Sequence, residues 1–136
     1  MSRKHIETIT GQLSMLNGKQ ISNAYKDNSS FNLDFVDFSL TIDGFFRFVY
    51  KGKIILSSYD MVATEFDDYV KTVFKSLDGY VVKEVKIGKF GDFTLTFKNN
   101  AQLEVISDSS YDESVWSLGN CIVTPYEVKT RGDKNA

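Results

Sequence analysis

Two runs of alternating apolar residues meet out of step at Val36-Asp37, and this constrains the fold more than any other feature of the chain. Phe31, Leu33 and Phe35 alternate with polar residues. Phe38, Leu40 and Ile42 do the same in the opposite phase. A strand repeats every two residues, so a one-residue slip predicts a bulge or tight turn near Val36-Asp37. Asp43-Gly44 reads as the next turn. Phe46, Phe48 and Tyr50 form another alternating set, and Lys51-Gly52 reads as a hairpin loop before the strand at 54–58. Residues 31–58 are therefore expected to form an antiparallel meander. Strands resume after residue 80. Val81, Val85 and Ile87 are expected to share one face, Phe93, Leu95 and Phe97 alternate, Asn99-Asn100 turns the chain, and Leu103 and Val105 return. Residues 121–128 read as a last strand, with Pro125 confining it to an edge or an end.

Two segments switch to helical spacing. Ile6, Ile9, Leu13 and Leu16 predict a short N-terminal helix that stops at Asn17-Gly18, with Gly11 weakening it. Over 61–78, Val62, Phe66, Tyr69, Val70, Val73, Phe74 and Leu77 form a longer apolar stripe, with Asp60 as its cap and Gly79 as its stop. Asp67 and Lys71 are spaced for an i,i+4 pair. The chain thus reads as an α+β fold: a mainly antiparallel, curved sheet with one long amphipathic helix packed on it and a short N-terminal helix. The 136 residues suit one domain over 1–130 with a polar tail at 131–136. Arg131-Gly132-Asp133 in that tail is too short a match to carry meaning.

Composition narrows the chemistry. The formal charge of −2 argues against a nucleic-acid partner, although Lys83, Lys86, Lys89 and Lys98 lie near Phe90 and Phe93. Single Cys and His residues exclude a disulfide framework and a Cys/His zinc cluster within one chain. A carboxylate-only Ca²⁺ or Mg²⁺ site stays open, but no EF-hand-like loop supports one. His5 lies near a terminus, and Cys121 sits in an apolar strand, where a free cysteine is usually inert. Gly88 to Asp92 reads as a β-turn and opens no helix, so it is not a phosphate loop. The carboxylate pairs Asp67-Asp68, Asp108 with Asp112, and Asp112-Glu113 are the remaining acid–base candidates, and a solvated face is the simpler reading of them. No cofactor is expected. The N-terminus lacks an apolar signal region and no run reaches membrane-spanning length, so a soluble cytoplasmic protein without a membrane partner is expected.

Two further features point outward. FRFVYKGKIILSSYD at 46–60 is echoed by FTLTFKNNAQLEVISDSSYD at 93–112, as two hairpins stacked in one sheet would produce. SDSSYDESVWSLGN at 107–120 divides into an exposed polar loop at 107–114 and a core anchor, Trp116.

LTIDGFFRFVYKGKIILSSYDM at 40–61 and LDGYVVKEVKIGKFGDFTLTFKNNAQLEVISDSSYDESVWSL at 77–118 together resemble a family of small bacterial proteins, some of which look like immunity proteins of toxin–immunity systems. The resemblance implies a non-enzymatic binding protein that neutralises a cognate protein toxin. A structural or ligand-binding module is the alternative and a carboxylate hydrolase the third reading. Acidic surface would complement the basic cleft of a nuclease toxin. The partner-binding candidates are Asp108, Tyr111, Asp112 and Glu113 in the serine-rich loop, with Asp67 and Asp68 on the helix.

Overall fold

The computed structural model describes residues 1–65, 67–108 and 110–130. The element order is α1 (Arg3–Ser14), β1 (Ile21–Asp27), β2 (Ser30–Phe35), β3 (Ser39–Ile42), β4 (Phe45–Tyr50), β5 (Lys53–Ser57), a 3₁₀ turn (Ser58–Met61), α2 (Asp67–Ser76), β6 (Val82–Ile87), β7 (Phe93–Phe97), β8 (Gln102–Ile106), β9 (Trp116–Leu118), β10 (Cys121–Val123) and β11 (Val128–Thr130). The fold is α+β, and the strands form two antiparallel sheets where one curved sheet was expected. The first runs β1-β2-β3-β9-β10-β11 and the second β5-β4-β8-β7-β6.

The phase slip at Val36-Asp37 is a two-residue hairpin turn. Phe35 and Phe38 exchange backbone bonds of 2.7 and 3.3 Å across it, and Val36 points into solvent. The expected meander breaks one turn later. At Asp43-Gly44 the chain leaves the first sheet and enters the second, and both amides donate to the Val115 carbonyl at 2.9 Å. A Cβ at Gly44 would stand 2.9 Å from Val115 Cγ1, so the crossing passes too close for a side chain. Lys51 and Gly52 both take positive φ, 51° and 74°, as a twisted two-residue hairpin requires.

The inner faces of the sheets meet in one continuous core. Phe31 of the first sheet stacks on Phe46 of the second at 4.7 Å between ring centroids. Trp116 meets Phe93 edge-on at 5.0 Å. Alternation survives wherever only one strand face is buried: Phe93, Leu95 and Phe97 are inward, as are Leu103 and Val105. On β6 the expected face is wrong by one step. Val82, not Val81, is in the core, because the register shifts between Val82 and Glu84 before Val85 and Ile87.

The helices lie at the sheet edges and not across a face. α2 packs against β1 and β5, one edge strand of each sheet, and α1 packs against β6 and β11, the other two. Exposed strand edges are templates for unwanted pairing, so covering all four protects the fold. Tyr69 shows how α2 does this: its hydroxyl donates to the Ile55 carbonyl of β5 at 2.8 Å, while Asp67 reaches Lys26 of β1 at 3.4 Å. Asp67 therefore engages β1 and not the Lys71 spaced four residues along its own helix. The backbone of 18–21 also bonds to that of 79–82, which ties the start of β1 to the start of β6.

The helix expected over 61–78 is shorter. Asp60 does not cap it; its carboxylate accepts the Ser57 amide at 2.8 Å and closes the 3₁₀ turn. Val62 is consequently outside the helix and exposed, and Tyr69 is half-exposed over the β5 edge, whereas Val70, Val73 and Leu77 are buried as expected. Phe66 lies outside the described residues. Gly79 ends the segment at φ 91°. The single strand expected at 121–128 is a hairpin. β10 ends at Val123, Thr124 N–H bonds to the Glu127 carbonyl at 3.0 Å, and Pro125 sits in that turn. The 131–136 tail, with its Arg-Gly-Asp triplet, lies outside the described residues. Among the described residues no helix is long and apolar enough to cross a membrane.

Candidate interface at one end of the two sheets

Strand register brings four connections to one end of the molecule. β4 pairs with both β5 and β8, placing Ser57 opposite Arg47 and Ile106 opposite Phe45. The chain therefore leaves β5 and β8 on the side where β4 begins. The Asp43-Gly44 crossing delivers Phe45 to the same place, and the β1–β2 turn brings Ser29. Between them lies a cleft of about 360 Å³, lined by Ser29, Asp43, Phe45, Val62, Asp108 and Glu113 among others.

Asp43 organises this end. Its two carboxylate oxygens accept hydroxyl bonds from Ser30 at 2.5 Å and Ser114 at 2.8 Å, joining the β1–β2 turn to the serine-rich loop. That loop is also fastened to the last hairpin. Tyr126 donates its hydroxyl proton to the Ser110 carbonyl, and Lys129 donates to Asp112 at 3.3 Å while also reaching Glu127 at 3.4 Å. The Thr124 hydroxyl holds the Asp112 carboxyl below its ordinary range; desolvation opposes it, and the Lys129 ammonium adds to the lowering. The same two carboxylates raise the Lys129 ammonium. Behind the loop, Trp116 is fully buried, and its indole N–H donates to the Gly91 carbonyl at 2.7 Å. The division expected in 107–120 is present in part among its described residues: Asp108 and 110–113 are exposed and 115–118 are buried, but Ser107 and Ser114 of the expected exposed loop are half-buried.

The candidate residues separate on this geometry. Asp108 and Glu113 line the cleft, and Tyr111 is exposed beside it. Asp112 belongs to the same loop, but its carboxylate is engaged with Lys129 and Thr124, which makes it a fastening for the loop. Asp67 and Asp68 begin α2 and are not among the residues lining the cleft; Asp67 is engaged with Lys26. Asp43, Phe45, Tyr59 and Val62 were not singled out beforehand. Tyr59 had a signal, because it occupies the same place in the first Ser-Ser-Tyr-Asp copy as Tyr111 does in the second. Asp43 had none beyond its turn.

The carboxylates stand around the cleft, and among the described residues no three His, Cys, Asp or Glu side chains form a metal-holding group. Asp112 is shifted toward its ionised form, opposite to what a general acid near neutral pH requires. Burial pushes the Cys121 thiol up, away from the nucleophilic thiolate. His5 lies in the first turn of α1. Phe93 and Phe97 of the basic 83–98 stretch are buried, leaving Phe90 as its one exposed aromatic ring.

No family model matches this chain, and neither a curated protein nor a solved structure matches it.

Proposed function

We propose that this chain is a non-enzymatic binding protein, an immunity protein of the bacterial cytoplasm that neutralises a cognate toxin by direct contact through the loop end. One observation carries the reading. Phe45 and Val62, 41% and 64% exposed, line a cleft whose charged side chains, among the described residues, are all acidic, and Tyr59 and Tyr111, 63% and 72% exposed, lie on the two connections that supply its Ser58 and Glu113. Large apolar side chains grouped on a surface and rimmed by charge mark protein contact sites. An inhibitor needs such a surface and no catalytic pair. The acidic lining suits a toxin with a basic cleft and speeds encounter with it.

Co-expression with the product of the gene immediately upstream, tested first for toxicity on its own, tests the reading. Growth should be rescued, and the two proteins should co-purify as a complex. Absence of both rescue and complex would remove the immunity role. A ligand-binding module is the second reading, favoured by a groove of about 280 Å³ between α2 and β1 with Tyr25, Val70 and Phe74 in its walls.

A further inference from the structure

The repeated Ser-Ser-Tyr-Asp segment has a structural counterpart. Each copy follows the second strand of a hairpin, 57–60 after β5 and 109–112 after β8. Because β4 lies between β5 and β8 and pairs antiparallel with both, the two copies leave the second sheet at the same end. In each copy the aspartate is occupied in holding its turn: Asp60 accepts from the Ser57 amide, and Asp112 accepts from Lys129. In each copy the tyrosine is the large apolar side chain that stands exposed, Tyr59 at 63% and Tyr111 at 72%. Tyr111 keeps a contact inside the chain and is still largely exposed.

Resting on the reading of this end as the interface, we infer that Tyr59 and Tyr111 are its paired anchors and that they receive an arginine-bearing segment of a basic protein, with Phe45 and Val62 completing the apolar face. The occupant follows from charge. Asp43, Asp108 and Glu113 line the adjoining cleft, and among the described residues no Lys or Arg does. Asp43 is held by Ser30 and Ser114, but an apolar partner surface would still desolvate the Asp108 and Glu113 carboxylates, whereas a cationic one is drawn to all three. Arginine fits better than lysine. Its planar guanidinium stacks on a tyrosine face while its in-plane N–H groups remain free to bond carboxylates. The aspartates of the two copies are positioning residues in this scheme, and the tyrosines make the contact.

The test needs no toxin. A tetra-arginine peptide blocked at both ends is titrated at low salt into the isotope-labelled full chain and followed by NMR. Saturable shifts are expected at Phe45, Tyr59, Val62, Asp108, Tyr111 and Glu113, with weaker binding by tetra-lysine. Tyr59→Ala and Tyr111→Ala should each weaken binding about two- to fivefold, as removal of an exposed cation–π contact does. Tyr59→Phe and Tyr111→Phe should retain it. Should Tyr111→Ala disturb the fold, Tyr59→Ala decides alone. Shifts spread equally over Asp67, Asp68 and Glu7, tetra-lysine binding as tight as tetra-arginine, or alanine variants that bind like the parent would each overturn the inference. If peptide binding holds but rescue fails, only the immunity reading falls. A toxin complex indifferent to both tyrosines removes only the anchors.

Discussion

Replacing Trp116 should measure how firmly the loop end is tied to the core. The side chain is fully buried between the sheets, stands edge-on to Phe93 at 5.0 Å and donates to the Gly91 carbonyl at 2.7 Å. Truncating a buried Trp to Ala costs about 3–5 kcal/mol from lost transfer energy and the cavity left behind. The edge-to-face contact and the stranded Gly91 carbonyl place this site toward the upper end of that range. Trp116→Phe keeps most of the volume and loses the indole bond, so about 1–3 kcal/mol is expected. Urea unfolding followed by far-UV circular dichroism measures both variants. The parent offers an internal check, because its single tryptophan should emit at short wavelength when folded and shift to the red on unfolding. A Trp116→Ala protein within about 1 kcal/mol of the parent would refute the packing described here. A stable Trp116→Ala protein that had lost only its partner would make the residue part of the interface.

Gly44→Ala should destabilise by about 1–3 kcal/mol in the same assay, since its Cβ would meet Val115 Cγ1 at 2.9 Å where the chain crosses between sheets. Tyr69→Phe should cost about 0.5–1.5 kcal/mol by freeing the Ile55 carbonyl on the β5 edge, and hydrogen exchange should rise locally along β5. Asp112 titrates below the ordinary carboxylate value of 3.8, so its contribution to stability is present above that pH and is lost as pH falls through the lower folded value. Denaturation midpoints measured from pH 7 downward should therefore fall less steeply below pH 3.8 in Asp112→Asn than in the parent.

What could be read from the chain depended on whether one face of a strand was buried without interruption. β2, β3, β4, β7 and β8 meet that condition and were legible. β1 does not. Its register shifts between Ile21 and Asn23, leaving Ile21 and Ala24 inward three residues apart, so no alternation signals a strand. β9 is three residues long and buried throughout, which erases the period altogether. The two-sheet arrangement turns on Asp43-Gly44, which as a sequence looks like any other turn. The helix was overdrawn because Val62 matches helical spacing, while Asp60 is tied back to Ser57 in a 3₁₀ turn that precedes the helix beginning at Asp67.

The candidate site divides in the same way. Asp108, Tyr111 and Glu113 were legible because they share one loop. Ser29, Asp43, Val62 and Asp108 come together only through strand register, and no local spacing announces them. The role of Asp112 was hidden because its partner, Lys129, lies on the last hairpin, beyond the strand to which the loop leads.

The central claim is that the loop end binds the partner. Isothermal titration of the upstream gene's product into two charge-reversed proteins, Asp108→Lys/Glu113→Lys and Asp67→Lys/Asp68→Lys, tests it most directly. All four positions begin α2 or lie on an exposed loop, so both proteins should fold. Binding should be lost or weakened at least about tenfold in the first, roughly 1.4 kcal/mol, and be nearly unchanged in the second. Loss of binding in the second with retention in the first would move the interface to α2 and contradict the account.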